Sequence, residues 1–199
     1  MKNKLSMAII VLMLTGCFAF LVPWAVFGSS KASTSGKVYT AYNMWYETNK
    51  ESSMWAINYK TGNMIPAGTE VVSVEVKRNK INFITVKDKK KYTVNFKAAF
   101  HPGKTVEDYA KMMFSEKDID QLTQGMSETD ITGIKEGVIR VGMTKNAVII
   151  AYGYPPEHKT PDLKGNEWRY WMNRFRTNVI YFDESGKTIQ PPSQDPGVL

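Results

Sequence analysis

The residues best suited to catalysis or metal binding are few in this chain, and their spacing suits neither task. His101 and His158 are the only histidines, and neither has a cysteine, histidine or carboxylate at metal-ligand spacing. The paired acids at 107–108 and 183–184 fit helix-cap and turn positions better than an acid–base pair. The sequence contains no Gly-x-Ser-x-Gly elbow, phosphate loop or Gly-x-Gly-x-x-Gly fingerprint. We therefore predict that the protein is not an enzyme and uses no metal or other cofactor.

Aromatic and basic residues near residue 170 suit binding instead. Strand alternation turns Trp168 and Tyr170 to one face, and Arg169 and Trp171 to the other. If helices cover the first face, the second presents tryptophan and arginine, the residue types that dominate interface energetics. The alternative is that Trp171 packs beneath the N-terminal half. The predicted partner-binding residues are Arg169, Trp171, Arg174 and Arg176.

Residues 38–100 have the pattern of short strands joined by tight turns. Every second residue is apolar in 72–76, 81–83 and 92–96, which is typical of strands with one buried face. Basic residues fill the turns at 77–80 and 87–91. Consecutive hairpin turns lie at opposite ends of a meander, so we expect two separate solvated turns rather than one basic patch.

Short helices are predicted farther along the chain. The N-caps of these helices are Thr105, Ser127 and Thr144. The second and third helices end near Gly137 and Gly153, and glycine can adopt the left-handed conformation that closes a helix. The prolines at 155 and 156 force the chain to continue in extended form. Helices this short are marginal alone, so each must pack on another layer.

The C-terminal half carries a series of motifs in a fixed order. These are Gly142-Met143-Thr144 before a helix that ends in Gly-x-Pro, then Trp168-x-Tyr170, then Phe-Asp-x-x-Gly-Lys from Phe182. In these motifs the chain resembles the SmpA/OmlA family, the BamE-like small outer-membrane lipoproteins, over about residues 126–190. The resemblance implies two short helices against one face of a three-stranded antiparallel sheet.

The same resemblance implies how the last helix packs. Val148 and Ile149 would be buried against Trp168, Tyr170 and either Val179 or Tyr181 of the sheet. The N-terminal half shows a weaker resemblance, through the segment PAGTEV and the meander after it, to bacterial SH3-like domains.

The predicted fold class is α+β. A small SH3-like β-barrel precedes an ααβββ BamE-like two-layer domain, behind an N-terminal membrane anchor or lipoprotein signal. The predicted divisions are 1–30 for the signal or anchor, 31–37 for a tether, 38–100 for the SH3-like domain, 101–125 for a helical linker, 126–190 for the BamE-like domain and 191–199 for a tail.

The N-terminus carries an export or membrane signal. Lys2 and Lys4 precede the stretch Met7–Phe27, which is almost wholly apolar and uncharged. Leu14-Thr15-Gly16-Cys17 resembles a bacterial lipobox, and Cys17, the only cysteine, would be the lipid attachment site. An uncleaved transmembrane anchor and ordinary cleavage near residues 29–32 are the alternatives. Each places the remaining chain in the cell envelope, facing the periplasm from the outer or inner membrane.

This location limits the partners. A net charge of +7 would suit nucleic-acid binding, but an exported chain does not encounter nucleic acid. We attribute the charge to surface lysines that keep the protein soluble. The N-terminus would contact membrane lipid. The family resemblance implies support of envelope or outer-membrane protein assembly, with other envelope proteins, including the β-barrel assembly machinery, as partners. The alternative is an extracytoplasmic sensor or inhibitor that binds a ligand or cell-wall component through the SH3-like half.

We predict that Cys17 is lipidated in a bacterial host. A palmitate analogue should label the wild-type chain and spare Cys17→Ala, because the variant has no thiol to acylate. Equal labelling of both chains, or of neither, would favour the transmembrane anchor.

Overall fold

The N-terminal half forms a six-stranded sheet and a separate two-stranded ladder. The computed structural model describes residues 36–47 and 52–192. The strands are β1 (Val38–Thr40), β2 (Met44–Tyr46), β3 (Ser53–Trp55), β4 (Asn63–Ile65), β5 (Glu70–Lys77), β6 (Lys80–Thr85), β7 (Lys91–Asn95) and β8 (Phe114–Ser115). The large sheet has the order β3-β7-β6-β5-β1-β8, and β2 pairs with β4. All pairs are antiparallel except β3 with β7.

Alternating apolar residues build the predicted meander from β5 to β7. Ile81 and Phe83 are buried in the core. Opposite them on β5, Val74 is half-buried beside Phe83 and Val76 is 37% exposed beside Ile81. Val72, predicted to share a face with Val74, is 58% exposed because an extra residue after Val71 makes a bulge in β5. The antiparallel order is confirmed, so the two basic turns lie at opposite ends of the meander.

The part of the chain that the structure describes contains four α-helices. Three begin at the predicted caps: α1 (Val106–Met113) at Thr105, α3 (Glu128–Glu136) at Ser127 and α4 (Lys145–Tyr152) at Thr144. The fourth, α2 (Ile119–Leu122), is capped by Asp118, and the sequence pattern did not predict it. Gly137 ends α3 in the left-handed conformation, at φ 66° and ψ 36°.

Gly153 ends α4 in a different way from the predicted left-handed cap. Its φ is 78°, but its ψ is −177°, so the chain becomes extended at once. A Cβ atom here would lie 2.9 Å from the amide nitrogen of Asn58 and from the ring of Tyr42. Both the backbone conformation and the lack of space therefore require glycine at this position.

The C-terminal sheet has three antiparallel strands, as predicted. They are β9 (Glu167–Trp171), β10 (Thr177–Phe182) and β11 (Thr188–Ile189), in the order β11-β10-β9. Trp168 and Tyr170 are each 1% exposed and share a core with Val148, which confirms the predicted face of β9.

Two predicted contacts in this core are wrong. Ile180 and Phe182 of β10 are buried, whereas Val179 and Tyr181 are half-exposed. The register explains this result, because Ile180 lies opposite Trp168 and therefore on the same face. On α4, Ile149 was expected to be buried but is only half-buried, and the next residue, Ile150, is buried instead.

The fold class is therefore α+β. The described residues belong to one compact unit, and the finer division into SH3-like and BamE-like domains stays a prediction. Cys17 and the predicted signal or anchor at 1–30 lie outside the described residues, as does nearly all of the predicted tail. Within 36–47 and 52–192, no helix is long and apolar enough to cross a bilayer.

Side chains from the N-terminal half satisfy the ends of α3 and α4. Asn43 donates through Nδ2 to the carbonyl oxygens of Ile134, at 2.7 Å, and Ala151, at 3.2 Å. Its Oδ1 accepts the N–H of Ala67 at 2.7 Å. Asn58 donates to the carbonyl of Tyr152 at 2.9 Å. These bonds pair carbonyl groups that a helix cannot pair at its own C-terminus.

Lys60 completes this cap. Its ammonium donates to the carbonyl oxygens of Asn58, at 2.7 Å, and Tyr152, at 2.5 Å. It also lies 4.3 Å from the ring centre of Trp45 and 5.0 Å from that of Tyr152. No ion pair among the described residues includes Lys60. Burial lowers the pKa of this ammonium well below its ordinary value.

We predict that Asn43→Ala lowers the free energy of unfolding by about 3 kcal/mol, because it leaves buried hydrogen-bonding groups unpaired. Asn146→Ala, at an exposed position of α4, should change it by no more than about 0.5 kcal/mol. Urea denaturation of both variants measures the two changes. If both variants change the free energy of unfolding equally, the Asn43 hydrogen bonds do not stabilise the contact between the two halves.

Lys60→Met removes the ionisable group while keeping a similar side-chain volume. The folded chain releases the Lys60 proton at lower pH than the unfolded chain, so between the two pKa values the unfolded chain binds more protons. The free energy of unfolding of the wild type should then rise relative to Lys60→Met as the pH approaches the ordinary lysine value of 10.5. Urea denaturation across this range tests the prediction, which fails if the difference is independent of pH.

Candidate functional site

All four residues predicted to bind a partner lie on or beside the β9–β10 hairpin. Arg169 and Trp171 belong to β9, and Arg174 and Arg176 lie in the turn that follows. The turn closes through the N–H of Met172, which donates to the carbonyl of Arg176 at 2.8 Å. The Arg169 guanidinium reaches toward the same end of the sheet, 3.4 Å from the Thr177 hydroxyl. The hairpin therefore brings the three arginines together.

The turn is held by its own hydrogen bonds and by the N-terminal half. The Oδ1 atom of Asn173 accepts the backbone N–H groups of Phe175 and Arg176, each at 2.9 Å. This asparagine turn fixes the chain between the two strands. The carbonyl of Met172 also accepts the backbone N–H of Lys60 at 3.0 Å. The capping lysine and the hairpin are thus directly connected.

Phe175 is the most exposed large apolar residue of the described chain, at 81% exposure. It lies between two arginines, and the guanidinium of Arg174 is 4.5 Å from its ring centre. Phe175 was not among the predicted site residues, because the sequence pattern indicates only a turn at this segment. The sequence feature that could have identified it is a phenylalanine within an otherwise polar turn, because a side chain in such a turn is not expected to be buried. We call Arg169, Arg174, Phe175 and Arg176 the arginine hairpin surface.

Trp171 occupies a less open position than predicted. Its ring is half-buried and stacks on His158, with ring centres 6.4 Å apart and planes 16° apart. His158 in turn lies 3.2 Å from the carbonyl oxygen of Phe100 through Nδ1. Trp171 therefore supports the hairpin from one side, and its predicted contact with a partner would involve only the exposed part of its ring.

The charges of the arginine hairpin surface are uncompensated. None of the ion pairs among residues 36–47 and 52–192 includes Arg169, Arg174 or Arg176. The guanidinium of Arg174 is close enough to Tyr59 to act on its pKa, which burial raises and Arg174 lowers, with burial the larger effect. The surface thus combines an exposed ring with free guanidinium groups beside a second aromatic residue.

A buried charged cluster, which the sequence analysis also missed, lies elsewhere. His101 Nδ1 is 2.7 Å from Glu157 Oε2, and the Lys104 ammonium is 3.2 Å from the other oxygen. Burial raises the pKa of Glu157, but hydrogen bonds from His101 and Lys104 outweigh it and hold that pKa below its ordinary value. His101 is 2% exposed and packs against Phe96 and Tyr109, so a substrate could not reach it.

We interpret this cluster as a structural contact between the segment after Gly153 and the start of α1. His101 and Glu157 are 56 residues apart in the sequence, so the spacing of residues around His101 could not indicate this partner. In the described part of the chain, no group of three or more histidine, cysteine or acidic residues is arranged to hold a metal ion.

Comparison with known proteins adds no assignment to this geometry. No family model, curated protein or solved structure shows significant similarity to the chain. The arginine hairpin surface is therefore the candidate site, on the basis of its residues and their exposure.

Proposed function

We propose that this chain is a membrane-tethered extracytoplasmic interaction module that supports envelope or outer-membrane protein assembly. It binds an acidic surface of another envelope protein through the arginine hairpin surface, and the β-barrel assembly machinery is the first candidate. The observation that carries the proposal is Phe175, whose ring is 81% exposed between two unpaired arginines.

An exposed phenylalanine of this kind stabilises the isolated chain very little. Its apolar surface would be removed from water only when another molecule covers it, which is worth about 1.5–3 kcal/mol for a full side chain. The guanidinium groups beside it can each form two parallel hydrogen bonds with a carboxylate. An acidic, partly apolar partner surface satisfies both requirements.

The geometry of the turn favours binding further. Asn173 already holds the backbone of Phe175 and Arg176, so less conformational freedom is lost when a partner binds. Trp171, at the end of β9, stacks on His158, and this contact restricts the hairpin further. A preorganised aromatic residue flanked by arginines has the composition of an interface hot spot.

The membrane tether and the envelope role come from the sequence. The apolar segment with its lipobox-like Cys17 supports a membrane location, and the motifs from Gly142 to Lys187 support the family resemblance. The exposed lysine turns would add long-range attraction to an acidic partner without fixing its orientation.

The alternative function, a sensor or inhibitor that binds a ligand through the N-terminal half, has less support. A cavity between Trp45, Met54 and Tyr59 measures about 30 Å³. That volume holds about one water molecule, whereas ligand pockets measure about 300–1,000 Å³. This cavity therefore gives no reason to prefer the alternative.

We predict that Phe175→Ala combined with Arg174→Ala abolishes partner crosslinking in bacterial envelopes. Two hot-spot residues can each contribute about 2 kcal/mol or more, which together exceeds a hundredfold in affinity. The fold should remain intact, because both side chains are exposed. Crosslinking followed by pull-down and mass spectrometry measures the loss and identifies the partner.

Two control variants accompany this experiment. Lys87→Ala with Lys89→Ala should only weaken crosslinking, and only at low salt, because both lysines are exposed and exposed charges are screened within about 8–10 Å at physiological ionic strength. Val72→Ala removes an exposed apolar side chain elsewhere and should have no effect. If the lysine variant loses the partner and the hairpin variant keeps it, the docking surface lies on the N-terminal sheet instead.

A further inference from the structure

A groove of about 440 Å³ lies where the edge of the large sheet meets the C-terminal helices. Both residues of β8, Phe114 and Ser115, line it on one side, and Ile149 and Tyr154 line it on the other. Its volume is within the range of about 300–1,000 Å³ that is typical of binding sites. The lining includes no residue of the arginine hairpin surface, so this feature is independent of the proposed function.

Two apolar side chains that line the groove are only half-buried. Ile149 of α4 and Met112 of α1 are both half-buried and line the groove, although helical spacing places them with core residues. Their helices bury other faces, so these two side chains remain partly in contact with water. A ligand in the groove would cover them, and this burial would favour binding.

The charge of the lining is positive. Lys111 and Lys117 contribute ammonium groups, and no carboxylate lines the groove. Lys111 has an exposed partner, Asp108, whose Oδ1 lies 3.8 Å away, a weak surface pair. Asp118 follows Lys117 but is engaged as the cap of α2, where it accepts the N–H of Gln121 at 2.9 Å. Both lysines therefore remain able to bind an anionic ligand.

The polar groups of the lining suit a peptide better than a compact apolar molecule. Asn146 offers a side-chain amide that can pair with main-chain N–H and C=O groups. Ser115 Oγ and Gln121 Oε1 already accept the backbone N–H groups of Lys117 and Asp118, but the Ser115 hydroxyl and the Gln121 NH₂ can still donate to peptide carbonyls. β8 is the last strand on its side of the sheet, and edge strands are the places where extended peptides add to a sheet. An extended segment could alternate between the apolar wall and the lysines.

We propose that this groove binds an extended acidic segment of a partner protein. Apolar side chains of the segment lie against Phe114, Ile149 and Tyr154, and its carboxylates lie near Lys111 and Lys117. The proposal gives the chain a second docking surface, which does not depend on whether the arginine hairpin surface binds the assembly machinery.

The test begins with a random peptide library displayed on phage and panned against the immobilised full chain. The enriched peptides should contain aspartate or glutamate together with leucine, isoleucine or phenylalanine. The strongest binder is synthesised with a fluorescent label, and its affinity is measured by fluorescence anisotropy. Absence of enrichment, or enrichment of peptides without acidic residues, overturns the proposal.

Variants then locate the binding site of the labelled peptide. Ile149→Glu should lower its affinity by at least about tenfold, because the new carboxylate repels the peptide and replaces an apolar contact. Since this change could also affect folding, Lys111→Glu with Lys117→Glu provides a second variant at exposed positions. That pair should lower the affinity about tenfold at low salt and less at high salt. Thermal unfolding checks that each variant is folded.

Two matched controls test whether charge alone explains the binding. Val72→Glu and the pair Lys87→Glu with Lys89→Glu place the same changes away from the groove and should leave the affinity unchanged. If they reduce it as much as the groove variants do, the peptide binds by charge alone and the proposal is wrong.

Discussion

The structure depends on how the carbonyl groups at the ends of α3 and α4 are paired. The carbonyl groups of Ile134, Ala151 and Tyr152 belong to buried residues, where an unpaired carbonyl would cost about 1–3 kcal/mol. Asn43, Asn58 and Lys60 supply the donors from the N-terminal half. Each of these bonds joins residues that are about 90 or more positions apart in the sequence. The hydrogen bonds therefore fix the relative position of sheet and helices as well as their stability.

The surface features follow from this arrangement. Lys60 caps α4 with its ammonium and holds Met172 with its backbone N–H, so the same residue that joins the halves also positions the β9–β10 hairpin. The same α4 buries Val148 and Ile150 and leaves Ile149 half-buried, where it lines the groove beside β8. The helix that these side chains cap thus contributes to the groove, and Lys60 contributes to the hairpin.

Local sequence signals predicted a large part of the fold. The side chains of Thr105, Ser127 and Thr144 each accept the backbone N–H of the residue three positions later, so these caps are local features. Strand alternation correctly predicted the buried face of β9. Alternation could not tell which face of β10 is buried, because that choice depends on the register with β9. The contacts of Asn43 join residues about 91 and 108 positions apart, and single side-chain types give no signal over such distances.

The candidate site was predicted only in part, for a related physical reason. Arginines on an exposed strand face follow from alternation, but a turn gives no periodicity that would indicate whether Phe175 points inward or outward. Phe175 is 81% exposed, and Asn173 holds the turn by accepting the backbone N–H groups of Phe175 and Arg176. An exposed aromatic residue held in this way loses little conformational freedom on binding. The lysine turn at 87–91 is also held by hydrogen bonds to Asp88, so the exposed aromatic ring, rather than rigidity or charge, distinguishes the arginine hairpin surface.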